Sequence, residues 1–474
     1  MKLQKYILPI LAYLVLASCK NQPEESYDLV IQNGQTIDLE TGKIAPQDIY
    51  INEGKIVKIE SSGSKISFIA KKTIEASGTY ILPGFWDNHT HFRGGDSLIS
   101  ENKDLLPLFL ANGITTVRDA GGDLTSSVLQ WKKEIVAGTL DGPTIYTSGP
   151  KIDGPQGTWA GSLEVVTDED IAKALDSLQT LKTDFVKLYD SRVSGEAYLK
   201  TLKETDKRGL ITSGHMPFTV TLKETVDAGL DAVEHLYYIM KGCSAVETEV
   251  TLMLKEKEIG FWQAMPLLRE GYQTSTAKAT FDLLKQKNVY VVPTLHIGKT
   301  LSYLDEVDHV NDPYLKYMGK GIIKTYEGRI NGALNASEKT RKDRKELDDF
   351  FGTLTKSLND SGVKLLAGSD SGAYNSYTYP GISLHKELEA IVQTGITPLE
   401  ALKTSAYNGA HFLKKEQSYG TIAIGKQADL VLLDANPLND IRNTQKINTV
   451  IQSSKVYNKD QLKAMLDTLT KLEP

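Results

Sequence analysis

The stretch ILPGFWDNHTH, residues 81–91, decides which fold the rest of the chain is expected to have. Its two histidines, His89 and His91, are two positions apart, and side chains at this spacing lie on the same face of a β-strand. Two imidazoles on one face can hold a divalent metal ion when other strands supply further ligands. Two structural histidines at a strand end would have the same spacing, so the downstream sequence must decide.

From this stretch onward, runs typical of β-strands alternate with amphipathic helical patterns. Eight such runs begin strand–helix units, at residues 81–91, 113–120, 144–149, 184–190, 210–216, 232–238, 290–295 and 364–370. Eight strand–helix units predict an α/β fold, a (β/α)8 TIM-like barrel. Residues 260–266 compete for the seventh strand, but the cleaner β-branched run favours residues 290–295. Residues 298–347 are predicted to form a helical insertion over the barrel mouth.

Short strands are predicted at both ends of the chain. Residues 29–37 contain Asn33-Gly34 and residues 48–59 contain Glu53-Gly54, and both dipeptides indicate hairpin turns. Neither these strands nor those expected near the C-terminus can bury a core alone. We therefore predict a small β-sandwich domain made from both termini. The predicted segments are 27–80 and 416–460 for the sandwich, 81–415 for the barrel and 461–474 for a C-terminal helix or tail.

Residues 1–18 have the composition of a signal peptide, because basic residues precede a short apolar run. The run is well under the roughly 20 residues of a membrane-spanning helix. It ends in LASC, residues 16–19, which resembles the lipobox of bacterial lipoproteins, and in that family the cysteine, here Cys19, carries the lipid. We expect an exported protein that contacts the bacterial membrane only through this lipid anchor, with residues 19–26 as a tether. The alternative is an ordinary secretory signal with an incidental cysteine.

The composition excludes several classes of protein. The formal net charge is −6, and we find no cluster of basic residues, so a nucleic-acid partner is not expected. The only cysteines are Cys19 and Cys243, so no intramolecular disulfide can form if Cys19 is lipidated. Neither a P-loop nor a dinucleotide fingerprint occurs.

The predicted fourth strand carries a lysine that should point into the barrel. Val186 and Leu188 suit packing against the outer helices, and Lys187 between them lies on the opposite face. An isolated buried charge is costly, so this lysine must be paired, neutralised or modified.

The ends of the predicted strands collect residues that bind metals or transfer protons. Active sites of such barrels lie at the C-terminal ends of the strands. The residues expected to converge on this rim are His89, His91, Lys187, His215, His235 and Asp370.

These motifs resemble those of the amidohydrolase superfamily of metal-dependent hydrolases, and the resemblance spans residues 27–458. It rests on residues 83–91, 113–119, 234–235, 368–370, 387–402 and 425–430. The branch that it indicates is imidazolonepropionase-like and includes Xaa-Pro dipeptidases. One departure is Ser453-Ser454, where the family usually has Asn-Gly before the last strand.

The resemblance implies a site with two divalent metal ions, for which zinc is favoured. His89, His91 and Asp370 would hold one ion, His215 and His235 would hold the other, and a carboxylated Lys187 would bridge them. A hydroxide between the ions would attack the substrate, and Asp370 would act as general base and then as general acid.

The reaction that this site implies is hydrolysis of a C–N bond in a small peptide-like substrate, either an Xaa-Pro dipeptide or an N-acyl amino acid. The candidate substrate contacts are Tyr189, Tyr237, Tyr238 and His296. Arg118 and Asp119 are expected to form a structural pair, and Trp86 and Asp87 are expected to pack against or orient the first ligands. An oligomer is compatible with the sequence.

Three alternatives remain on the sequence alone. A lactonase or organophosphate-type esterase would use the same metal site. An imidazolonepropionase or a mononuclear deaminase is disfavoured by the export segment, by Lys187, and by the lack of a glutamate soon after His215. A non-catalytic binding lipoprotein is disfavoured by the intact set of metal ligands.

We expect Cys19→Ser to abolish lipid anchoring, because the serine cannot take the thioether-linked lipid. The protein should then appear in the soluble fraction or remain unprocessed, as measured by fractionation and immunoblotting. A Cys243→Ser variant is the control and should fractionate like the wild type. A processed Cys19→Ser protein that stays in the membrane fraction would contradict the expectation.

Overall fold

A computed structural model describes residues 25–64 and 67–470, so Cys19 and the expected signal peptide lie outside the described residues. Its strands, in chain order, are β1 Glu25–Ile37, β2 Ile44–Asn52, β3 Lys55–Ser61, β4 Phe68–Glu75, β5 Tyr80–Pro83, β6 Phe85–Thr90, β7 Ile114–Asp119, β8 Thr144–Thr147, β9 Ile152–Asp153, β10 Leu163–Glu164, β11 Val186–Leu188, β12 Thr212–Gly214, β13 Ala232–Glu234, β14 Tyr290–Val292, β15 Leu430–Leu433, β16 Ile447–Gln452 and β17 Lys455–Asn458.

Helices follow most of the barrel strands and cover the outside of the barrel. They are α1 Ile99–Asp104, α2 Leu106–Ala111, α3 Thr125–Val136, α4 Asp168–Leu181, α5 Gly195–Lys207, α6 Leu222–Asp227, α7 Tyr237–Gly242, α8 Glu247–Lys255, α9 Phe261–Glu270, α10 Thr274–Gln286, α11 Leu295–Ser302, α12 Lys320–Lys324, α13 Glu327–Leu334, α14 Glu338–Asp360, α15 Ile382–Gln393, α16 Pro398–Leu402, α17 Asn408–Phe412 and α18 Lys459–Leu469. In the described ranges, none of these helices has the length and apolarity to cross a membrane.

The barrel is closed by hydrogen bonds between two parallel sheets and one irregular segment. One sheet contains β6, β7 and β8, and the other runs in the order β10-β9-β11-β12-β13-β14. Asp184 N donates to Thr147 O at 2.8 Å and joins the two sheets on one side. On the other side, Val291 N donates to Lys364 O at 3.0 Å and Asp370 N donates to His89 O at 2.7 Å. The chain therefore has the predicted α/β barrel fold.

The predicted eighth strand, residues 364–370, is not a regular strand. It forms only isolated bridges, Val291 with Leu365 and Thr90 with Ser371. The backbone is crowded here, because a Cβ atom on Gly368 would lie 2.5 Å from the Cβ atom of His89. Asp370 then turns the chain with a φ of 52°. The segment occupies the place of the eighth strand, but its close approach to β6 prevents a continuous ladder.

Two other predictions for the barrel strands can be compared with the structure directly. Residues 290–292 form β14, whereas residues 261–270 form helix α9, so the choice of the seventh strand was right. The predicted sixth strand, residues 232–238, is too long, because β13 ends at Glu234 and helix α7 begins at Tyr237. The insertion after β14 is helical, as predicted, and contains α11 to α14.

The stretch at residues 81–91 is divided between two sheets at Gly84. β5 pairs with β15 and β1 in the terminal sheet, while β6 pairs with β7 in the barrel. A Cβ atom at Gly84 would lie 2.3 Å from two side-chain atoms of Thr115, so the chain can pass here only as glycine. The single strand that we predicted is therefore two strands joined at a tight crossing.

The two ends of the chain meet in one sheet, whose order is β17-β16-β15-β5-β1-β2-β3, with β4 paired to β1. Its buried apolar residues come from both ends of the chain, including Ile31 and Ile49 from the N-terminal part and Leu430 and Ile451 from the C-terminal part. Because each end contributes only part of this core, neither could form it without the other.

The hairpin predicted at Asn33-Gly34 is wrong. β1 continues through these residues, and its register with β2 shifts between Ile31 and Gly34, as in a β-bulge. Asn33 has a φ of 62°, and its N–H donates to Asp48 Oδ1 at 2.8 Å, so the dipeptide that favours a turn is used for the bulge. The predicted turn at Glu53-Gly54 does join β2 to β3.

We expect Ser454→Gly to stabilise the protein. Ser453 and Ser454 connect β16 to β17 with φ values of 48° and 74°, a two-residue turn that favours Asn-Gly. Glycine removes the left-handed penalty of roughly 1–2 kcal/mol per residue, so the free energy of unfolding in urea should rise by about 1 kcal/mol. Ser454→Ala keeps the Cβ atom and is the control. An equal gain in both variants would show that the turn is not the cause.

Candidate metal centre

The six residues expected at the rim converge on one site. Lys187 lies within β11, and the others lie at the ends of β6, β12 and β13 and in the irregular eighth segment. Ligand atoms of His89, His235 and Asp370 all lie within 4.8 Å of one another. The ring centroids of His215 and His235 are 4.9 Å apart. The arrangement therefore combines imidazole nitrogens with one carboxylate and one lysine amine.

The inner part of the site is a close group of hydrogen-bond acceptors. His91 Nδ1 lies 2.9 Å from the Gly121 carbonyl oxygen and must donate to it, and His89 Nδ1 donates to Glu234 Oε2 at 2.6 Å. Both Nε2 atoms are then lone-pair acceptors, and they face each other at 3.2 Å. Asp370 Oδ1 lies 3.5 Å from His89 Nε2 and 3.2 Å from His91 Nε2. Such a group of lone pairs is unfavourable unless a cation lies among them.

Burial disfavours protonation of the histidines in this group of acceptors. Burial lowers the pKa of His89, and it lowers the pKa of His91 well below the usual value. Burial opposes ionisation of Asp370 as well, and the pKa of its carboxyl lies well below the usual range only where positive charge is present at the surrounding imidazoles, the place that a bound cation would take. Neutral imidazoles beside an ionised carboxylate are the protonation states that a divalent metal requires.

The outer histidines are oriented in the same way by their Nδ1 atoms. His215 Nδ1 lies 3.1 Å from Asp190 Oδ1. His235 Nδ1 lies 2.7 Å from Thr294 Oγ1, and the hydroxyl of Thr294 donates to Pro293 O. Since that hydroxyl proton is already used, Thr294 accepts the proton of His235 Nδ1. Both Nε2 atoms therefore keep a free lone pair that could bind a metal ion.

Lys187 is buried and lacks a partner. Its side chain is 1% exposed, and Nζ makes no hydrogen bond to any described residue. The nearest carboxylate oxygen, Glu234 Oε1, is 3.7 Å away. Burial lowers the pKa of Lys187 to about 8. This amine therefore has unused bonding capacity inside the group of candidate ligands.

Glu234 connects the site to the barrel interior, a role that the sequence did not reveal. It accepts hydrogen bonds from His89, from the hydroxyl of Ser213 and from Arg118 Nη2 at 2.9 Å. Burial opposes its ionisation, but Arg118, His89 and Lys187 hold the pKa of Glu234 well below its usual range. The charged carboxylate fixes the His89 ring.

The predicted pair of Arg118 with Asp119 is wrong. Arg118 donates to Asn88 O at 2.5 Å and to Ser213 Oγ at 2.8 Å in addition to Glu234. Asp119 instead accepts from the hydroxyl of Thr147 at 2.6 Å. Adjacent strand residues lie on opposite faces of the sheet, so a side-chain pair between them is geometrically unfavourable.

Three residues of the site have left-handed backbone conformations. His235, Thr294 and Asp370 have φ values of 67°, 52° and 52°. His235 and Thr294 lie within two residues of the ends of β13 and β14, and Asp370 lies in the eighth segment, so these turns stand at the barrel mouth. Such conformations cost of order 1–3 kcal/mol each and concentrate at functional sites. No glycine or asparagine marks them in the sequence.

The residues predicted to orient the first ligands do so in part. Asp87 accepts hydrogen bonds from the N–H of His89 at 3.3 Å and from the N–H of Ser369 at 2.9 Å. It therefore links β6 to the eighth segment beneath the ligands. Trp86 packs among aromatic residues below the site, with ring centroids 5.6 Å from Tyr146 and from Tyr419.

The four candidate substrate contacts have different positions. Tyr237 lines a cavity of about 170 Å³ above the ligands, together with His215, His235 and Asp370. Tyr189 and Tyr238 do not line that cavity, although both rings pack against His215, at centroid distances of 4.4 and 5.7 Å. Tyr238 donates to Asp190 Oδ2 at 2.8 Å, so its hydroxyl positions the partner of His215.

His296 is not part of the cavity lining. It lies in the first turn of α11, and its backbone N–H donates to Glu387 Oε2 at 2.7 Å. Burial lowers the pKa of His296 to about 4. The strand that precedes it ends at Val292 rather than at the predicted residue 295, so His296 does not lie at the strand end where the sequence placed it.

The chain matches known proteins over most of its length. Residues 80–456 match the model of the amidohydrolase family. The ochratoxinase of Aspergillus niger is 21% identical over 426 residues, which cover 78% of this chain and 73% of that protein.

Solved structures of similar fold include a bottromycin amidohydrolase and a Xaa-Pro dipeptidase with bound methionine in the active site. The first has a TM-score of 0.72 at 20% identity, covering 93% of this chain and 89% of that one. The second has a TM-score of 0.67 at 17% identity, covering 91% and 99%. At these identities the likeness establishes the fold.

We expect Glu234→Gln to weaken metal binding by about 10- to 100-fold, because a neutral amide no longer fixes the His89 ring by charge. It should also cost roughly 3–5 kcal/mol of stability, since Arg118 is left without its buried counter-charge. Metal titration and urea unfolding measure the two effects. Glu247→Gln, at the start of α8, is the control. A Glu234→Gln protein with wild-type metal affinity would exclude the orienting role.

Proposed function

Because the chain belongs to the amidohydrolase family, we propose that it is a binuclear metal-dependent hydrolase that cleaves a C–N bond in a small peptide-like substrate. The observation that carries the proposal is the inner group of acceptors, in which His91 Nε2 and Asp370 Oδ1 lie 3.2 Å and 3.5 Å from His89 Nε2. A structural barrel would gain nothing from this unfavourable arrangement.

The donor set fits two divalent metal ions. His89, His91 and Asp370 would hold one ion, and His215 and His235 would hold the other. A carboxylated Lys187 would contribute to both, which would satisfy its unpartnered amine. Nitrogen and oxygen ligands of this kind favour zinc. When bound, the ions would activate water and polarise the scissile carbonyl group.

Asp370 is the residue that we propose to transfer the proton. Asn375 Nδ2 donates to Asp370 Oδ1 at 2.8 Å and fixes the orientation of the carboxylate. Asp370 Oδ2 lies 3.8 Å from His235 Nε2, at the floor of the cavity. From this position the carboxylate can accept a proton from the attacking water and return it to the leaving nitrogen.

The cavity above the ligands supports a small substrate. Its walls combine the polar floor with apolar side chains of the helical insertion, including Ile297, Leu301 and Phe351. The likeness to a Xaa-Pro dipeptidase supports an Xaa-Pro dipeptide as the substrate, and an N-acyl amino acid presents the same scissile group. A lactone or phosphotriester would be attacked by the same site, so a hydrolysis assay must include both classes.

We also propose that the enzyme acts outside the cytoplasm, anchored through Cys19. This part rests on the sequence of the first 19 residues. Peptide debris would be available to an exported hydrolase.

The direct test is a hydrolysis screen of the metal-loaded protein against Xaa-Pro and other dipeptides, N-acyl amino acids, lactones and phosphotriesters. We expect turnover of at least one dipeptide or N-acyl amino acid. Activity confined to lactones or phosphotriesters would replace the proposed C–N hydrolysis by ester hydrolysis at the same metal site.

We expect Asp370→Asn to reduce kcat by roughly 10²–10⁴-fold, as is typical for the loss of a general acid–base group. The amide cannot take the proton, and weaker metal binding would add to the loss, so metal content is measured in the same samples. Asp348→Asn, on the insertion, is the control and should keep near wild-type turnover. A metal-loaded Asp370→Asn enzyme with wild-type kcat would exclude the proton-transfer role.

A further inference from the structure

A second cavity lies beside the metal centre, on the side of β6, β7 and β8. Its volume is about 350 Å³, and its lining includes Arg93, Gly122, Asp123, Lys151, Trp159 and Tyr374. Arg93 lies two residues after the ligand His91, and Gly122 follows the residue whose carbonyl accepts from His91 Nδ1. The cavity therefore adjoins residues that neighbour the candidate ligand His91.

The cavity contains two buried cations whose donors are not satisfied. Arg93 is 3% exposed and Lys151 is 2% exposed. Arg93 Nε donates to Ala373 O at 2.8 Å, but Arg93 Nη2 and Lys151 Nζ have no hydrogen-bond partner among the described residues. A buried charge without a partner is unfavourable, so a stable fold has reason to retain two such groups only if something else binds them.

The surrounding protein compensates these charges only weakly. Both cations lie over Trp159, with Arg93 Cζ 4.0 Å and Lys151 Nζ 4.5 Å from the ring centroid. A cation–π contact offsets only part of the desolvation cost of a buried charge.

The nearby carboxylates are engaged elsewhere. Asp370 stabilises both charges through space, but its Oδ1 lies 3.2 Å from His91 Nε2 and accepts from Asn375 Nδ2 at 2.8 Å. Asp123 lines the cavity, but its Oδ1 accepts from the backbone N–H of Gly94 at 2.9 Å. Asp119 accepts from the hydroxyl of Thr147. Burial, followed by the nearby Arg93, lowers the pKa of Lys151 well below its usual value. An anion between the two cations would relieve the burial cost of both.

We propose that this cavity binds the free carboxylate of the substrate through Arg93 and Lys151. The inference rests on the proposed hydrolysis of a peptide-like substrate. It gives a binding site to the carboxylate end of that substrate, which the metal centre does not bind. Trp159 forms the wall of the subsite, and its ring packs at a centroid distance of 6.2 Å from Tyr189.

Tyr189 connects this subsite to the metal centre. Its ring centroid lies 4.4 Å from that of His215 and 5.6 Å from Lys151 Nζ. In the proposed binding mode, a substrate whose scissile bond lies at the metal ligands extends its carboxylate past Tyr189 to the two cations. The carboxylate is held by charge and direct donors rather than by the tyrosine hydroxyls that the sequence suggested.

The test measures binding of 4-methylpentanoate and of the matched neutral 4-methylpentan-1-ol to the metal-loaded protein by calorimetry. We expect the carboxylate to bind the wild type more tightly than the alcohol. Lys151→Met should weaken binding of the carboxylate by about 10- to 100-fold and leave binding of the alcohol unchanged. Lys151→Arg should retain most of the affinity for the carboxylate.

Lys241→Met is the matched control. Lys241 is a buried lysine that lines neither cavity, and its Nζ donates to Phe218 O and Val220 O, so this variant should bind the carboxylate like the wild type. If the carboxylate is bound at the metal ions or in the cavity above them, Lys151→Met will also bind it like the wild type, and this result would overturn the proposal. Should Lys151→Met lose metal or fold poorly, Arg93→Gln is tested with the same probes and the same criterion.

The subsite and the proposed reaction can fail separately. If no peptide-like compound is hydrolysed but carboxylate binding depends on Lys151, the reaction is wrong and the subsite stands. If substrates ending in a carboxylate and in an amide are hydrolysed with equal kcat/KM by both the wild type and Lys151→Met, the reaction stands and the subsite is wrong.

Discussion

The structure depends on a focus of negative potential at the barrel rim, where the Nε2 lone pairs of His89 and His91 face each other at 3.2 Å beside Asp370. No donor among the described residues lies between these two atoms, and burial keeps both imidazoles neutral. The surrounding residues maintain this arrangement instead of relieving it, since Glu234 and Gly121 O fix the two rings from behind. A bound cation is the simplest reason for a fold to bear the cost.

Buried charges in this barrel fall into two kinds, and the difference identifies their roles. Arg118 is fully buried, yet its guanidinium donates to Asn88 O, Ser213 Oγ and Glu234 Oε1, so its charge is used within the fold. Lys187 and Lys151 are equally buried and have no partner for Nζ. We assign the first kind to the scaffold and the second kind to groups that the protein must bind, a carbamate and metals in one case and a substrate carboxylate in the other.

The fold and the convergence of the six rim residues could be predicted from the sequence because both follow from strand periodicity. A residue at a strand end of a barrel must lie on the rim, so the alternation around Lys187 and the HxH spacing at His89 were sufficient. Partners across strands were not predictable, and Arg118 pairs with Glu234 rather than with its neighbour Asp119. Asn33-Gly34 led to a wrong hairpin prediction, because a β-bulge and a hairpin turn both favour a residue with a left-handed backbone conformation. The positions of Tyr238 and His296 depend on where the chain leaves the strand, which periodicity does not determine.

The most direct test of the central claim is a crystal structure of the protein grown with zinc, with anomalous scattering measured at the zinc edge. We expect two anomalous peaks per chain. One should lie between His89, His91 and Asp370 and the other beside His215 and His235, and density for a carbamate should continue from Lys187 Nζ to both. A single peak with a bare lysine amine would contradict the binuclear site, and the absence of any peak at these histidines would contradict the metal centre itself.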